Sequence, residues 1–412
     1  MNRNIALAVG TALAASPLVV SSAHAQVQQQ VRPPIAVYWL SVETAGGMGM
    51  SVPAGLGALM PSAMRGGKRV KLDLGSSQAA SGDPRAAHAI PAGLSMGDSL
   101  PLVTPKIERA PQSAPEPDRE EREMPTPKGR MLVYWGCGEQ VRAGQPAVFD
   151  FAKMDPQQAG KVFRTRAVSR PTGPAPGRNK SYGGWPNQEN STPVPDKASL
   201  RGDHVISGNY SPEIRFPVDE RHDFMEPVAF DPVRKTEAGA FAVKWRAIPT
   251  ATGYFATAMG RGEGENDVVM WSSSETQDTG QSLMDYLPNA EVQRLIREKA
   301  ILPPQTLECA VPAGIFKGEG AMFNFIAYGD EMNLVHPPRP SDPKQPWNQE
   351  WAVKLRLKST GSTMLAEGVP SRAPRAEERS GEAPAREVAP AVPSAGDAIK
   401  GGINVLRGIF GR

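Results

Sequence analysis

Residues 241–258 read FAVKWRAIPTATGYFATA. Phe241, Val243 and Trp245 fall on one side of a period-two pattern, with Ala242 and Lys244 on the other. Tyr254–Ala258 carries a second run that suits a strand. Between them, Pro249–Gly253 joins a proline that presets φ to a glycine that frees it, so the chain turns there. The pattern predicts neighbouring strands that bury Trp245 and Tyr254.

The same character recurs outward. Val268–Ser272, Met322–Tyr328 and Trp351–Lys358 (WAVKLRLK) read as strands, the last alternating strictly. Upstream, Ile35–Val42, Arg69–Leu74, Met131–Trp135 and Ala147–Phe151 do so too. Val37-Tyr38-Trp39 and Val133-Tyr134-Trp135 repeat one pattern, either a unit used twice or a coincidence of two aromatic strands. Val52–Leu56, Ile90–Leu94 and Val311–Ile315 share a Pro-Ala-Gly form and read as similar turns, with positive φ expected at the glycine. One internal helix is expected, capped by Asn289, striped by Val292, Leu295 and Ile296, and stopped by Pro303-Pro304. Gly and Pro number 41 each, about a fifth of the chain against a usual ~12%, which favours short strands and turns. The fold expected is mainly β: antiparallel β-sandwich regions with one inserted helix, disordered linkers and a short C-terminal amphipathic helix. The expected division is a signal peptide at 1–25, an N-terminal β-rich region at 35–226 with a disordered excursion at 105–128, a sandwich at 227–360, a linker at 366–398 and a tail at 399–412.

Phe241–Ala258 resembles strands B and C of a fibronectin type III or related immunoglobulin-like sandwich. The resemblance spans about Pro227–Thr360. It implies that Trp245 is the inward strand-B tryptophan and Tyr254 the strand-C tyrosine, in a binding or spacer module.

Residues 1–25 have three parts: a short start with Arg3, an apolar stretch of 16 residues (Ile5–Val20), and Ala23-His24-Ala25. That layout predicts a secretory signal peptide cleaved after Ala25, hence a periplasmic or extracellular protein. The stretch is short against the roughly 20 residues that span a bilayer. The net charge is +3, with bases and acids interspersed, so no nucleic-acid footprint is expected. An oxidising compartment permits Cys137 and Cys309 to pair; two buried free thiols are the alternative. No metal or cofactor signature is present at usable spacing.

Chemistry-bearing motifs are sparse. Gly93–Gly97 fits G-x-S-x-G, with Ser95 in the nucleophile's place, but Pro91, Pro101 and Pro105 oppose the strand–turn–helix that motif needs. His204 adjoins Asp203, and His222 adjoins Asp223, offering acid–base pairs. Trp185 and Trp347 are expected in loops as ligand-contact aromatics. In the tail, Ile399, Ile403, Leu406 and Phe410 share one helical face, with Lys400 and Arg407 opposite. That face predicts docking to an anionic membrane surface or a partner, although four glycines oppose a helix. The reading is a non-enzymatic, exported cell-envelope binding or structural protein. Its expected partners are an envelope protein, a glycan or an anionic membrane. A secreted serine hydrolase using Ser95 or a His204/Asp203 site is the alternative.

Overall fold

The computed structural model describes residues 29–47, 66–106, 129–153, 160–163, 165–318 and 320–367. The signal peptide, the amphipathic tail, the first Pro-Ala-Gly turn and most of the two linkers lie outside the described residues. In chain order the strands are β1 (Val31–Arg32), β2 (Ala36–Ala45), β3 (Gly67–Ser76), β4 (Ala86–Ala89), β5 (Ser99–Leu102) and β6 (Arg130–Trp135). Then follow β7 (Ala147–Asp150), β8 (Ser181–Trp185), β9 (Gly202–Gly208), β10 (Ser211–Val218), β11 (Arg234–Lys235) and β12 (Phe241–Lys244). Last come β13 (Gly253–Arg261), β14 (Val268–Ser272), β15 (Glu308–Val311), β16 (Ala321–His336), β17 (Trp347–Asn348) and β18 (Trp351–Leu365).

Nine of these form one sheet, in the order β7-β6-β14-β13-β16-β18-β2-β3-β8. Side chains alternate across it. Tyr38, Leu40 and Val42 of β2 and Val353, Leu355 and Leu357 of β18 all enter one continuous core. Two small sheets cover that inner face. The three-stranded sheet β11-β12-β15 packs on the middle. There Trp245 meets Tyr254 edge-on at 5.7 Å and tilts over Phe325 at 4.7 Å. Phe230, bridged to Trp245, meets Phe323 and Phe325. The four-stranded sheet β10-β9-β4-β5 lies against β2, where Phe216 approaches Tyr38 at 6.2 Å. Both contacts belong to the same core.

Between residues 234 and 365, β11, β12 and β15 make one sheet and β13, β14, β16 and β18 join the other, while β17 pairs with β1. That is a two-sheet, sandwich-like division. Trp245 and Tyr254 are both buried, and they meet across the two sheets rather than by pairing within one. The long sheet also draws strands from residues 36–76 and 130–185, so 35–226 and 227–360 are not separate sheets.

The two Val-Tyr-Trp strands have matching places. β2 runs parallel to β18 at one flank of the sandwich, and β6 runs parallel to β14 at the other. Each then takes an antiparallel partner, β3 or β7. Val37-Tyr38-Trp39 sits opposite Ala352-Val353-Lys354, and Val133-Tyr134-Trp135 opposite Met270-Trp271-Ser272.

On the outer face, helix Asn289–Arg297 and its flanking loops cover Phe255, Ile326 and Tyr328. Pro288, not Asn289, holds the N-cap position; the Asn289 amide instead donates to Asp330 Oδ1 at 2.6 Å. Cys137 and Cys309 form a disulfide with Cα atoms 5.2 Å apart, tying the turn after β6 to β15 of the facing sheet. Among the described residues no helix is long and apolar enough to cross a membrane, and a disulfide is consistent with an oxidising compartment. Of the Pro-Ala-Gly turns, Gly314 has φ 73°, as its turn requires. At Ile90–Leu94 the residues with positive φ are instead Ser95 (56°) and Gly97 (88°), because Ala92–Leu94 coils into a 3₁₀ turn.

Candidate functional site

The residues singled out from sequence are not brought together. Ser95 is exposed beyond the 3₁₀ turn, and its hydroxyl lies 3.5 Å from the Gly93 carbonyl of the same turn. Asp203 and His204 are successive residues of β9 and therefore face opposite sides: Asp203 is exposed, His204 fully buried. His222 takes Asp219 as its carboxylate, Nδ1 to Oδ1 at 2.6 Å, rather than Asp223. Asp223 accepts from Ser199 Oγ and the Leu200 amide. Trp185 belongs to β8, not a loop; it is 3% exposed and donates its indole N–H to Asn190. Trp347 is half-buried in β17, donating to the Pro337 carbonyl, with Arg339 over its ring. Ile399, Lys400, Ile403, Leu406, Arg407 and Phe410 lie outside the described residues. Among the described residues, no group of three His, Cys, Asp or Glu could hold a metal.

His204 instead ends a buried chain of polar groups. Tyr38 Oη lies 2.8 Å from His88 Nδ1, His88 Nε2 lies 2.8 Å from His204 Nδ1, and His204 Nε2 lies 2.7 Å from the Leu200 carbonyl. A carbonyl only accepts, so His204 Nε2 carries a proton. Its Nδ1 then accepts from His88 Nε2–H, and His88 Nδ1 accepts from the Tyr38 hydroxyl. Both rings are neutral, with every nitrogen satisfied. Burial pushes both imidazoles below the usual range; His204 adds to the effect at His88, and the Leu200 carbonyl opposes it at His204. The Phe216 ring stacks on His204 at 5.1 Å. A satisfied interior network of this kind fixes packing and register.

The groups that do converge on solvent lie on the outer face of the long sheet. The WAVKLRLK alternation turns Val353, Leu355 and Leu357 inward, so Lys354, Arg356 and Lys358 stand in a row outward. Beside them on β2 stand Trp39, Ser41 and Glu43. Across β16 a register shift between Tyr328 and Glu331 aims the Glu331 carboxylate at Lys354 Nζ, 2.6 Å away. Above this row, the loop before helix Asn289–Arg297 lays Tyr286 down. Arg170 fixes that loop by donating to the Tyr286 carbonyl at 3.1 Å and to the Ser282 carbonyl.

Arg356 is held between two rings, its guanidinium carbon 4.7 Å from the Trp39 centroid and 4.3 Å from that of Tyr286. Its Nε donates to Ser41 Oγ at 2.8 Å. Gly173 lies against Trp39, where a Cβ would come within 2.8 Å of the ring, so that segment closes only with glycine. Lys358 Nζ sits over Tyr286 at 4.5 Å and pairs with Asp285 and Glu43. Among the described residues, Arg356 has no carboxylate partner. Burial pulls its guanidinium below the usual arginine range, with Tyr286 opposing. Burial likewise raises the Tyr286 hydroxyl, which stays protonated. The cleft between these groups is half-open and measures about 320 Å³ including the solvent in its mouth.

The signal for this site was present in the sequence. Lys-x-Arg-x-Lys in a strictly alternating strand puts three cations on one face. What pairs them with Trp39 is the parallel register of strands some 315 residues apart, which no local pattern encodes. No family model, no curated protein and no solved structure matches the chain, so these residues stand as its own description.

Proposed function

We propose that the chain is an exported, non-enzymatic protein of the cell envelope that binds a partner through the outer face of its long sheet. The observation that supports this is the Trp39–Arg356–Tyr286 stack. A guanidinium already confined by two rings loses little further freedom on binding. Two cations flank it, on a rigid strand rather than a loop. The signal-like layout of residues 1–25 and the Cys137–Cys309 bridge favour a compartment outside the cytoplasm. The partner is an envelope protein, a glycan or an anionic membrane surface, and the amphipathic stripe of Ile399, Ile403, Leu406 and Phe410 offers a second contact.

The test is fractionation of the full chain in its producing cell. Expected is a mature N-terminus at Gln26 and retention with envelope material, reduced several-fold in a folded Lys354→Ala/Lys358→Ala variant. An intact Met1 in the cytoplasm, or equal retention of the two proteins, overturns the reading.

A further inference from the structure

We propose that the Arg356 cleft is an oxyanion site, taking a ligand that presents a carboxylate or phosphate group. This deepens the binding reading above and rests on the same cleft, though not on export.

The argument is one of unused valence. A guanidinium has two faces and five N–H bonds in its plane. Here Trp39 and Tyr286 both lie against the guanidinium, and Nε is committed to Ser41. What remains is the pair of terminal nitrogens, for which no hydrogen bond forms among the described residues, on a side chain that lines the cleft. Such a pair is what binds an oxyanion in bidentate fashion. Neighbouring arginines and lysines have answers inside the protein: Lys354 has Glu331, Lys358 has Asp285 and Glu43, and Arg170 has two carbonyls. Among the described residues Arg356 makes no ion pair, although Asp285 and Asp73 act on it at longer range; Glu331 stands opposite it across the strand pair and turns to Lys354 instead. Three cations and one carboxylate line the cleft, so the field there favours an anion.

The same geometry denies a neutral sugar the ring face of Trp39. Stacking needs an open ring face. Trp39 offers none, because Arg356 lies on it and Gly173 closes against it. The ligand's oxyanion enters edge-on to Arg356, and the rest of it stays near the mouth.

The experiment titrates the purified full chain at low ionic strength with inorganic phosphate, with glucuronate and with galactose, read by calorimetry and by the Arg356 Nε–H resonance. Expected is saturable binding of phosphate or glucuronate with Kd in the range of about 0.1–10 mM, and none of galactose. The stronger of the two anions distinguishes a phosphate-bearing source from a carboxylated one. Arg356→Gln should weaken binding at least tenfold, and Tyr286→Leu several-fold by freeing the guanidinium. Should Arg356→Gln fail to fold, Arg356→Lys keeps the charge but loses the fork and serves instead, with the same tenfold expectation. No saturation by either anion up to about 50 mM, or unchanged affinity in a folded Arg356 variant, overturns the site. Loss of anion binding with envelope retention intact would remove only this inference. Anion binding without envelope retention would remove only the functional reading.

Discussion

The His88–His204 pair makes a pH dependence that can be signed. Both rings are buried neutral, and burial holds both below the ordinary histidine value. The unfolded chain takes up protons near pH 6.5 while the folded one does not. Stability contributed by this neutrality is therefore present above about pH 6.5 and is lost as pH falls through that value, flattening once the folded rings also protonate. The slope reaches about 2.7 kcal/mol per pH unit if both rings resist. Urea midpoints measured from pH 8 to pH 5 should fall accordingly; a flat profile would refute the neutral assignment. Tyr38→Phe leaves His88 Nδ1 without its donor and should cost about 1–3 kcal/mol. At the sandwich centre, Trp245→Ala removes a ring that touches Tyr254 and Phe325 and should cost roughly 3–5 kcal/mol; unchanged thermal stability would argue against its central place. Burial of Trp245 and Tyr254 was legible from alternation alone. The company of His204 was not: adjacency to Asp203 pointed to a pair, whereas strand geometry sends neighbours to opposite faces.

The four-stranded sheet β10-β9-β4-β5 was not legible, but every strand of the long sheet except β8 was, and so was the helix near Val292. Its ends were less so. Asn289 has the residue type of a cap but finds a better partner in Asp330, and Pro288 takes the boundary. At the other end, Ala300 N–H bonds to Leu295 O and Lys299 N–H to Ile296 O, with Lys299 at φ 56°. This is a Schellman closure with a lysine where glycine is at ease. Lys299→Gly should therefore stabilise the protein by about 0.5–1 kcal/mol, read as a rise in the urea midpoint; a loss would show that the lysine side chain matters more than the backbone strain. The β-strand pairings were beyond sequence reasoning, because two flanking strands join in parallel over long separations. Turn chemistry specifies hairpins, but nothing local specifies such a match.

At the scale of the whole molecule, the disulfide closes a separation of 172 residues and joins the facing sheets. Chain-entropy reasoning puts its contribution near 5 kcal/mol, against a usual cost of 2–5 for removing a native bridge. Cys137→Ser/Cys309→Ser should lower stability within that range while leaving the far-ultraviolet β signature at low temperature. A loss under about 1 kcal/mol would mean that the unfolded chain is already compact.

The parallel match of β2 with β18 also bears on how the protein is made. Of the strands in the long sheet, β2 is synthesised first and β18 last. Until β18 is made, β2 has only β3 beside it in the long sheet, with its other flank unpaired. Long-range parallel pairing is slow to form, and a chain awaiting it is exposed to aggregation. A chain stopped at residue 350 should therefore leave those amides of β2 that face β18 open to hydrogen exchange, even though every residue of that strand is present.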